Sequence, residues 1–292
     1  MNPGRLPNFL IVGAARSGTS SLHFYLSEHP DIYMCRDKEP QFFGFHGTPR
    51  QVKSKYGSLE EYMSLFAEAG DARIVGEATP TYLALPEAPA AIAGLCPEAK
   101  LVASLRNPVD RAFSYYEMSK SKGVEHAASF EDWIRGNDFW LEDAFYAPQI
   151  RRYREHFPNE ALKIVLFDDL VADPRGVVLD IHRFLGVRPE IPASGLPKLN
   201  GGGAPRGLLG GLVYRATTNR RLNRALTPVV SPGLRRFVHR VRGKAVRPSR
   251  MRAETRRELT DFFRDDIRAT QELLDRDLGC WLGARESAGE RA

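Results

Sequence analysis

The stretch FLIVGAARSGTS, residues 9–20, decides the fold. Its first four residues, Phe9 to Val12, form a short unbroken apolar run, which is typical of a buried strand in a parallel sheet. A glycine-containing loop follows. A helix then begins at Thr19 or Ser20 and ends near His29, because apolar residues recur within it at spacings of three and four. The order is therefore strand, glycine loop and helix.

Apolar strands and amphipathic helices continue to alternate along the chain. This alternation predicts a parallel sheet covered by helices on both faces. We therefore expect an α/β fold of the P-loop type, with three layers and a central parallel sheet flanked by helices. The further predicted strands cover 73–76, 101–105 and 162–167, and the further predicted helices cover 89–95, 109–120, 147–156 and a segment from Asp173-Pro174 to Gly186.

We predict one domain over residues 1–292, because a chain of this length can bury a substantial core. The core covers 7–188. A loop rich in Pro and Gly follows at 189–211, and a basic helical segment follows at 212–252. An amphipathic C-terminal helix at 253–282 packs back on the body.

The glycine loop between the first strand and helix is predicted to bind an anion. Such a loop turns several backbone N–H groups toward one point and adds the positive end of the helix dipole. Its Gly-x4-Gly spacing is that of a nucleotide triphosphate loop, but Thr19 stands where that motif requires lysine, and the cation has moved to Arg16. Phosphate or sulfate therefore fits better than ATP or GTP. The alternative is a tight turn without a ligand.

The segment KEPQFF, residues 38–43, holds a candidate base. We expect Phe42 and Phe43 to be buried and to draw Glu39 toward an apolar rim. A carboxylate in that position suits general base catalysis. The alternative is that Glu39 is solvated or paired with Lys38.

A candidate second anion site follows the strand predicted at 101–105. Arg106 is expected at the carboxyl edge of the sheet, where open α/β folds bind ligands, and Ser114 lies two turns along the next helix. A guanidinium binds phosphate through paired hydrogen bonds, so Arg106 and Ser114 suit an anion. The alternative is a structural ion pair between Arg106 and Asp110.

These three segments, in this order, resemble the PAPS-dependent sulfotransferases. The similarity is to the branch that includes heparan sulfate and other carbohydrate sulfotransferases and many bacterial members. It covers residues 9–186, and more weakly the loop near Asn200 and the end at 278–281. GEATPTY at 76–82 and FLGV at 184–187 are supporting matches.

The resemblance implies that the donor is 3′-phosphoadenosine 5′-phosphosulfate (PAPS) and that the product is adenosine 3′,5′-bisphosphate. It implies that the glycine loop binds the 5′-phosphosulfate, that the second anion site holds the 3′-phosphate, and that the loop at 189–211 closes over the nucleotide. The catalytic residues are then Glu39 as base and Arg16 as the cation for the leaving phosphate. The donor-binding residues are Arg16, Ser17, Gly18, Thr19, Ser20, Arg106, Ser114, Gly202, Gly203 and Arg206.

Three positions depart from the pattern of the family. Its loop cation is usually lysine, which is Arg16 here, and its heparan-type members usually carry histidine at Gln41 and lysine at Ala78. These changes leave the donor assignment in place and leave the acceptor open. We expect transfer to a hydroxyl or amine of a carbohydrate, a lipid-linked glycan or a small molecule. We expect no metal, because a sulfuryl group carries a single negative charge.

Positive charge is concentrated in the C-terminal third of the chain. Residues 206–257 hold fifteen Lys or Arg and one acid, Glu254; since the whole chain is +6 and this stretch is +14, the remainder is −8. A basic block beside an acidic body points to an anionic partner. We predict peripheral contact of 206–257 with an anionic membrane or a polyanion, and no specific nucleic acid. The alternative is a solvated helical face.

The cysteines and the apolar stretches bear on where in the cell the protein is found. Cys35, Cys96 and Cys280 are too few and too far apart for a disulfide framework or a metal cluster. The sequence shows neither an export signal nor an apolar stretch long enough to span a bilayer. We expect a cytoplasmic protein, peripheral at the inner face of the membrane.

Two other functions fit parts of the sequence. A kinase-like phosphoryl transferase would share the glycine loop, but it requires lysine where Thr19 stands and an acid for magnesium. A non-catalytic polyanion-binding protein would keep the basic block and a vestigial donor site. The retained Glu39 argues against the second.

Overall fold

The computed structural model describes residues 5–45, 55–121, 124–125, 127–135, 141, 143–192, 195–196 and 250–283. Five strands form one parallel sheet in the order β2-β3-β1-β4-β5. This confirms the α/β fold with a central parallel sheet flanked by helices. The strands are β1 (Phe9–Gly13), β2 (Ile32–Met34), β3 (Ile74–Ala78), β4 (Lys100–Leu105) and β5 (Leu162–Leu166).

Helices connect the strands, and two 3-10 turns cover Ser64–Ala69 and Asn159–Ala161. The first helix contacts β1, β2 and β3, as expected for a crossover that covers a parallel sheet. The helices are α1 (Thr19–Ser27), α2 (Leu59–Met63), α3 (Ala88–Leu95), α4 (Pro108–Ser121), α5 (Phe130–Ile134), α6 (Tyr146–Arg154), α7 (Phe167–Ala172), α8 (Pro174–Leu185), α9 (Ala253–Leu274) and α10 (Gly279–Leu282).

The first strand is buried on both faces because it pairs with β3 on one side and β4 on the other. All four residues from Phe9 to Val12 are completely inaccessible to solvent. An unbroken apolar run is what such a position requires. This is why the opening stretch predicts the centre of the sheet.

Helix ends follow local chemistry that the sequence shows. The side chain of Asp173 accepts the N–H of Gly176 before α8, and Gly186 ends that helix with a φ of 78°. Both are common capping arrangements. The start of α6 is different, since Asp266 of α9 accepts the N–H groups of Tyr146 and Ala147 at 2.8 and 3.0 Å. A cap from such a distant residue is not visible in local sequence.

Some boundaries differ from the predictions. The strand β2 was not predicted, because three residues are too few to show a period of two. Phe167, predicted as the end of a strand, instead begins α7. The C-terminal helix ends at Leu274, and Asp275 has a φ of 47°, which takes the chain out of the helix before α10 begins.

The chain divides into two compact units. The first comprises 1–112, 139–197 and 256–292 and contains the sheet, and the second comprises 113–138 and 198–255. In the described part of the second unit, the rings of Phe130 and Trp133 stack at 5.8 Å, and Glu131 accepts the N–H of Arg252 at 3.0 Å. The domain boundaries drawn from the sequence stay predictions.

Burial determines the state of two cysteines. Burial raises the pKa of the Cys35 and Cys96 thiols to about 12, so both are protonated at neutral pH. None of the three cysteines forms a disulfide. In the part of the chain that the structure describes, no helix is both long enough and apolar enough to cross a membrane.

Two glycines are expected to respond in opposite ways to alanine. A Cβ at Gly13 would lie 2.4 Å from Cβ of Leu83, so Gly13→Ala should lower the free energy of unfolding by about 1–3 kcal/mol through overpacking. A Cβ at Gly94 in α3 meets nothing within 4 Å, so Gly94→Ala should raise the free energy of unfolding by up to about 1 kcal/mol. Urea unfolding measures both. Equal effects of the two substitutions would contradict this packing.

Candidate active site

The carboxyl ends of β1, β3 and β4 lie at one edge of the sheet, because these three strands are parallel neighbours. The glycine loop follows β1 directly, and Arg106 follows β4 directly. Open α/β sheets bind ligands at this edge. The structure therefore brings the two predicted anion sites to the same edge.

Three successive carbonyl oxygens of the glycine loop are held from the side of β4 and α4. Each accepts a hydrogen bond from a side chain, and this fixes the orientation of the peptide groups of the loop. The pairs are Arg111 Nε to Ala15 (3.0 Å), Arg106 Nη1 to Arg16 (3.3 Å) and Ser104 Oγ to Ser17 (2.6 Å). Sequence reasoning assigned no role to Ser104 or Arg111.

The start of α1 is shaped to receive an anion. Gly18 precedes the helix with a φ of 82° and supplies no side-chain cap, so the first N–H groups of the helix have no partner within it. A Cβ at Gly18 would lie 2.8 Å from Leu170 Cδ2, so only glycine fits. The Ser17 hydroxyl is buried and has no hydrogen-bond partner among the described residues. A bound oxyanion would satisfy groups of this kind.

Arg106 contacts two aromatic residues at this edge of the sheet. Its guanidinium lies over the ring of Phe167 at 4.7 Å, and its carbonyl accepts the hydroxyl of Tyr146 at 2.8 Å. Asp110, the partner considered from sequence, forms a 2.6 Å ion pair with Arg256. Ser114 lies on α4 in the second unit, and its role stays a prediction.

The candidate base is more exposed than the sequence predicted. Phe42 and Phe43 are 2% exposed as expected, but the Glu39 side chain is 43% exposed and pairs with Lys38 at 3.2 Å. The prediction that Glu39 lies against an apolar rim was therefore wrong, because the aromatic rings pack inward while the carboxylate turns to solvent. Lys38 also donates to Ser20 Oγ at 2.6 Å. One ammonium group thus joins Glu39 to the first turn of α1.

The remaining predicted donor residues, Gly202, Gly203 and Arg206, lie outside the described residues. Within the described ranges, no group of three or more His, Cys, Asp or Glu side chains could hold a metal ion. Gln41 and Ala78 lie next to the segment of Glu39: the Gln41 N–H donates to Thr79 Oγ1 at 3.4 Å, and the Ala78 carbonyl accepts the Glu39 N–H at 3.0 Å.

A second carboxylate, Glu77, lies behind this segment on β3. It is completely buried and accepts hydrogen bonds from three hydroxyls, those of Tyr62, Thr79 and Tyr82 at 2.8, 2.7 and 3.0 Å. Burial raises the pKa of Glu77 to about 7, against the effect of these hydrogen bonds. Sequence reasoning quoted Glu77 only as part of a supporting match. An acidic residue inside a buried parallel strand was the available signal.

The raised pKa of Glu77 makes stability depend on pH. The pKa of Glu77 in the folded state, about 7, exceeds the usual value of 4.5, so the folded state binds the proton more tightly than the unfolded state. Protonated Glu77 therefore contributes to the free energy of unfolding below pH 4.5, and this contribution is lost as the pH rises toward 7. Glu77→Gln removes this titration. We expect its unfolding free energy to improve relative to the parent chain between pH 4.5 and 7, in urea titrations. The exposed Glu98→Gln is the control, and parallel curves for Glu77→Gln and the parent chain would contradict the assignment.

Comparison with known proteins agrees with this geometry. The sulfotransferase domain family matches residues 6–195. The chain is 32% identical over 224 residues to mouse (Mus musculus) heparan sulfate glucosamine 3-O-sulfotransferase 6, covering 70% of this chain and 63% of that protein. It is 29% identical over 202 residues to the human (Homo sapiens) bifunctional heparan sulfate N-deacetylase/N-sulfotransferase 2, covering 63% of this chain and 22% of that protein. The chain therefore spans less than two thirds of the length of these relatives.

One solved structure is similar over nearly the whole chain. The sulfotransferase from Alicyclobacillus acidocaldarius superposes with a TM-score of 0.71 at 30% identity, covering 95% of this chain and 99% of that one. The similarity thus extends from the sheet and the glycine loop to most of the remaining chain. With a glycine loop held from β4, an arginine at the same edge and the matching domain family, the chain belongs to the sulfotransferase family.

Proposed function

We propose that this protein transfers a sulfuryl group from PAPS to a hydroxyl or amine of an acceptor. The observation that carries the proposal is the common edge of the sheet. At this edge the Arg106 side chain donates to the carbonyl of Arg16. Lys38 pairs with the Glu39 carboxylate and also donates to Ser20 in the first turn of α1, which has no side-chain cap. Membership of the sulfotransferase family supports the same reaction.

The residues of the glycine loop fit a donor with two phosphate groups. Ser17 and the first N–H groups of α1 would hold the 5′-phosphosulfate with Arg16, Gly18, Thr19 and Ser20, since hydroxyl and amide donors satisfy its oxygens. Arg106 and Ser114 would hold the 3′-phosphate. Gly202, Gly203 and Arg206, which lie outside the described residues, would close over the nucleotide.

Each catalytic group has one task. PAPS supplies an activated sulfuryl group and leaves as adenosine 3′,5′-bisphosphate. Glu39 accepts the proton of the acceptor at a carboxylate oxygen. Arg16 cannot give up a proton at any ordinary pH, so it stabilises the developing negative charge by its own charge. Lys38 holds the Glu39 carboxylate beside Ser20.

A glycan acceptor is favoured by the names of the similar proteins, which refer to heparan sulfate. Gln41 and Ala78 replace side chains that the heparan-type enzymes carry near the acceptor, so we propose a carbohydrate, lipid-linked or small-molecule acceptor other than heparan sulfate itself. Incubation with labelled PAPS and fractions of a cell extract, followed by identification of the labelled product, tests this. Labelled product from ATP carrying the label in its γ-phosphate, with none from labelled PAPS, would instead support the phosphoryl transferase alternative.

Binding of the desulfated nucleotide tests the donor site without turnover. We expect the protein to bind adenosine 3′,5′-bisphosphate more tightly than ATP in calorimetry. Arg106→Ala removes a charged hydrogen-bonding group and should weaken that binding by about tenfold to a hundredfold. The exposed Arg183→Ala on α8 is the control and should have no effect. A preference for ATP would overturn the donor assignment.

Replacement of the proposed base tests the reaction. Glu39→Gln keeps the size of the side chain but cannot accept the proton, so kcat should fall by about a hundredfold to ten-thousandfold. The affinity for adenosine 3′,5′-bisphosphate should stay unchanged. Full activity of this variant on labelled PAPS would remove Glu39 from the mechanism. Binding of the nucleotide with no turnover on any acceptor would favour the non-catalytic alternative.

The basic residues at 206–257 remain the proposed contact with an anionic membrane or polyanion, and with it a peripheral cytoplasmic location. Most of this segment lies outside the described residues. Reversal of charge at Arg220, Arg221, Arg235 and Arg236 should abolish binding to vesicles of anionic lipid at low salt, because the attraction is electrostatic. Unchanged vesicle binding and unchanged acceptor KM in that variant would contradict the proposal.

A further inference from the structure

The buried carboxylate of Glu77 is not explained by the needs of the sheet. Its neighbours on β3 are Ile, Val, Gly and Ala, which need no hydrogen-bond partners for their side chains. A buried carboxylate carries a large desolvation cost that only good hydrogen bonds offset. None of the ion pairs among the described residues includes Glu77. Its contacts are the three hydroxyls, so its role is to be sought through them.

The Tyr82 hydroxyl connects Glu77 to the segment that carries the proposed base. Its oxygen accepts the N–H groups of Phe42 and Phe43 at 2.9 and 3.1 Å. A phenol has one proton and two lone pairs. Since both lone pairs face the two amides, the proton must point to Glu77, 3.0 Å away. An acceptor at Glu77 thus sets the direction of all three hydrogen bonds of Tyr82.

Thr79 makes a second connection of the same kind. Its hydroxyl donates to the other carboxylate oxygen of Glu77 at 2.7 Å and accepts the N–H of Gln41 at 3.4 Å. Above pH 7 the Glu77 carboxylate is mostly ionised and only accepts hydrogen bonds, so it orients both hydroxyls with their lone pairs toward residues 41–43. Three consecutive N–H groups of that segment are therefore bound through Glu77.

The segment needs this support because its backbone is strained. Glu39 and Gln41 have φ angles of 60° and 57°, in the left-handed region that side chains other than glycine rarely adopt. Such residues are unfavourable and persist where surrounding contacts determine them. The bonds to residues 41–43 and the bond from the Glu39 N–H to the Ala78 carbonyl are those contacts.

We propose that Glu77 is a positioning residue for the proposed base: as the shared acceptor of Tyr82 and Thr79, it fixes the backbone of residues 39–43 and so the place of the Glu39 carboxylate. This inference rests on the proposed function, in which Glu39 takes the acceptor proton. Glu77 acts through Glu39 and touches no reacting atom.

Glutamine at position 77 weakens this network. Its amide group places an NH2 donor at one of the two former oxygen positions. If the NH2 faces Thr79, that hydroxyl accepts from it as well as from the Gln41 N–H, and its own proton loses the acceptor at position 77. If it faces the tyrosines, Tyr82 must accept and release at least one amide of Phe42 or Phe43. Either way the network that holds the segment loses a hydrogen bond.

Hydrogen exchange measures the first consequence without any ligand. In the full chain, Glu77→Gln and Tyr82→Phe should each raise amide exchange at residues 39–43 by roughly tenfold or more, with exchange in β1 and β4 unchanged. Tyr62→Phe is the matched control, because Tyr62 donates to the same oxygen as Tyr82 but, among the described residues, accepts no N–H of this segment. Tyr82→Phe keeps Glu77 and decides the question if Glu77→Gln does not fold. Exchange equal to the parent chain at 39–43 in a folded variant overturns the inference.

Rates of sulfuryl transfer measure the second consequence. With labelled PAPS and the mixed acceptors of a cell extract as the probe, Glu77→Gln should lower kcat by about ten- to a hundredfold and leave the affinity for adenosine 3′,5′-bisphosphate unchanged. In the Glu39→Gln background the same substitution should have no further effect, since there is no base left to position. A merely structural role would lower the rate in both backgrounds alike.

The outcomes separate this inference from the proposed function. A parent chain that transfers no sulfuryl group contradicts the function, while the exchange data still decide whether Glu77 fixes residues 39–43. A parent chain that is active, with Glu77→Gln equally active, overturns the positioning role alone. A loss of rate in Glu77→Gln that persists in the Glu39→Gln background also overturns it.

Discussion

The pairing of β1 with β3 and β4 is the constraint on which the rest of the site depends. Because β1 is central and completely buried, the loop that leaves it can only emerge at the edge where β3 and β4 also end. Side chains of β4 and α4 then reach the carbonyl groups of the loop, and the residues after β3 reach the segment of Glu39. One pattern of strand pairing thus assembles the proposed anion site and the carboxylate from four separate parts of the chain.

The sheet and its helices could be predicted well because they follow from patterns of neighbouring residues. Apolar runs gave the strands, and Asp173 and Gly186 marked the ends of α8. What the sequence analysis missed depends on contacts between distant residues. The outward turn of Glu39 follows from the inward packing of Phe42 on Tyr62, whose rings stack at 4.3 Å, and Tyr62 is twenty residues further along the chain. Arg111 holds a carbonyl of the glycine loop nearly a hundred residues earlier, and no local pattern shows that.

Charge is arranged around the site in two ways. On the solvent side, Lys38 joins the exposed Glu39 to Ser20, and salt and solvent weaken such a pair. On the buried side, Glu77 meets hydroxyl groups in place of a cation. The first arrangement lets a carboxylate exchange partners when a ligand arrives. The second holds the backbone still, because the ionised carboxylate accepts from all three hydroxyls and such a buried network has few alternative arrangements.

Because the Tyr82 oxygen donates one hydrogen bond and accepts two, few other residues can replace tyrosine at that position. Phenylalanine fills the same space but has no oxygen, and histidine lacks the reach and presents its proton and lone pair on different atoms. Serine and threonine have the right numbers of donors and acceptors, but their side chains are too short to reach Glu77 on β3 and the N–H groups of residues 42 and 43 from position 82. Tyrosine alone among the twenty residues combines the length with one proton and two lone pairs, so sequences that keep Glu77 and the aromatic pair at 42 and 43 should keep tyrosine at 82 as well.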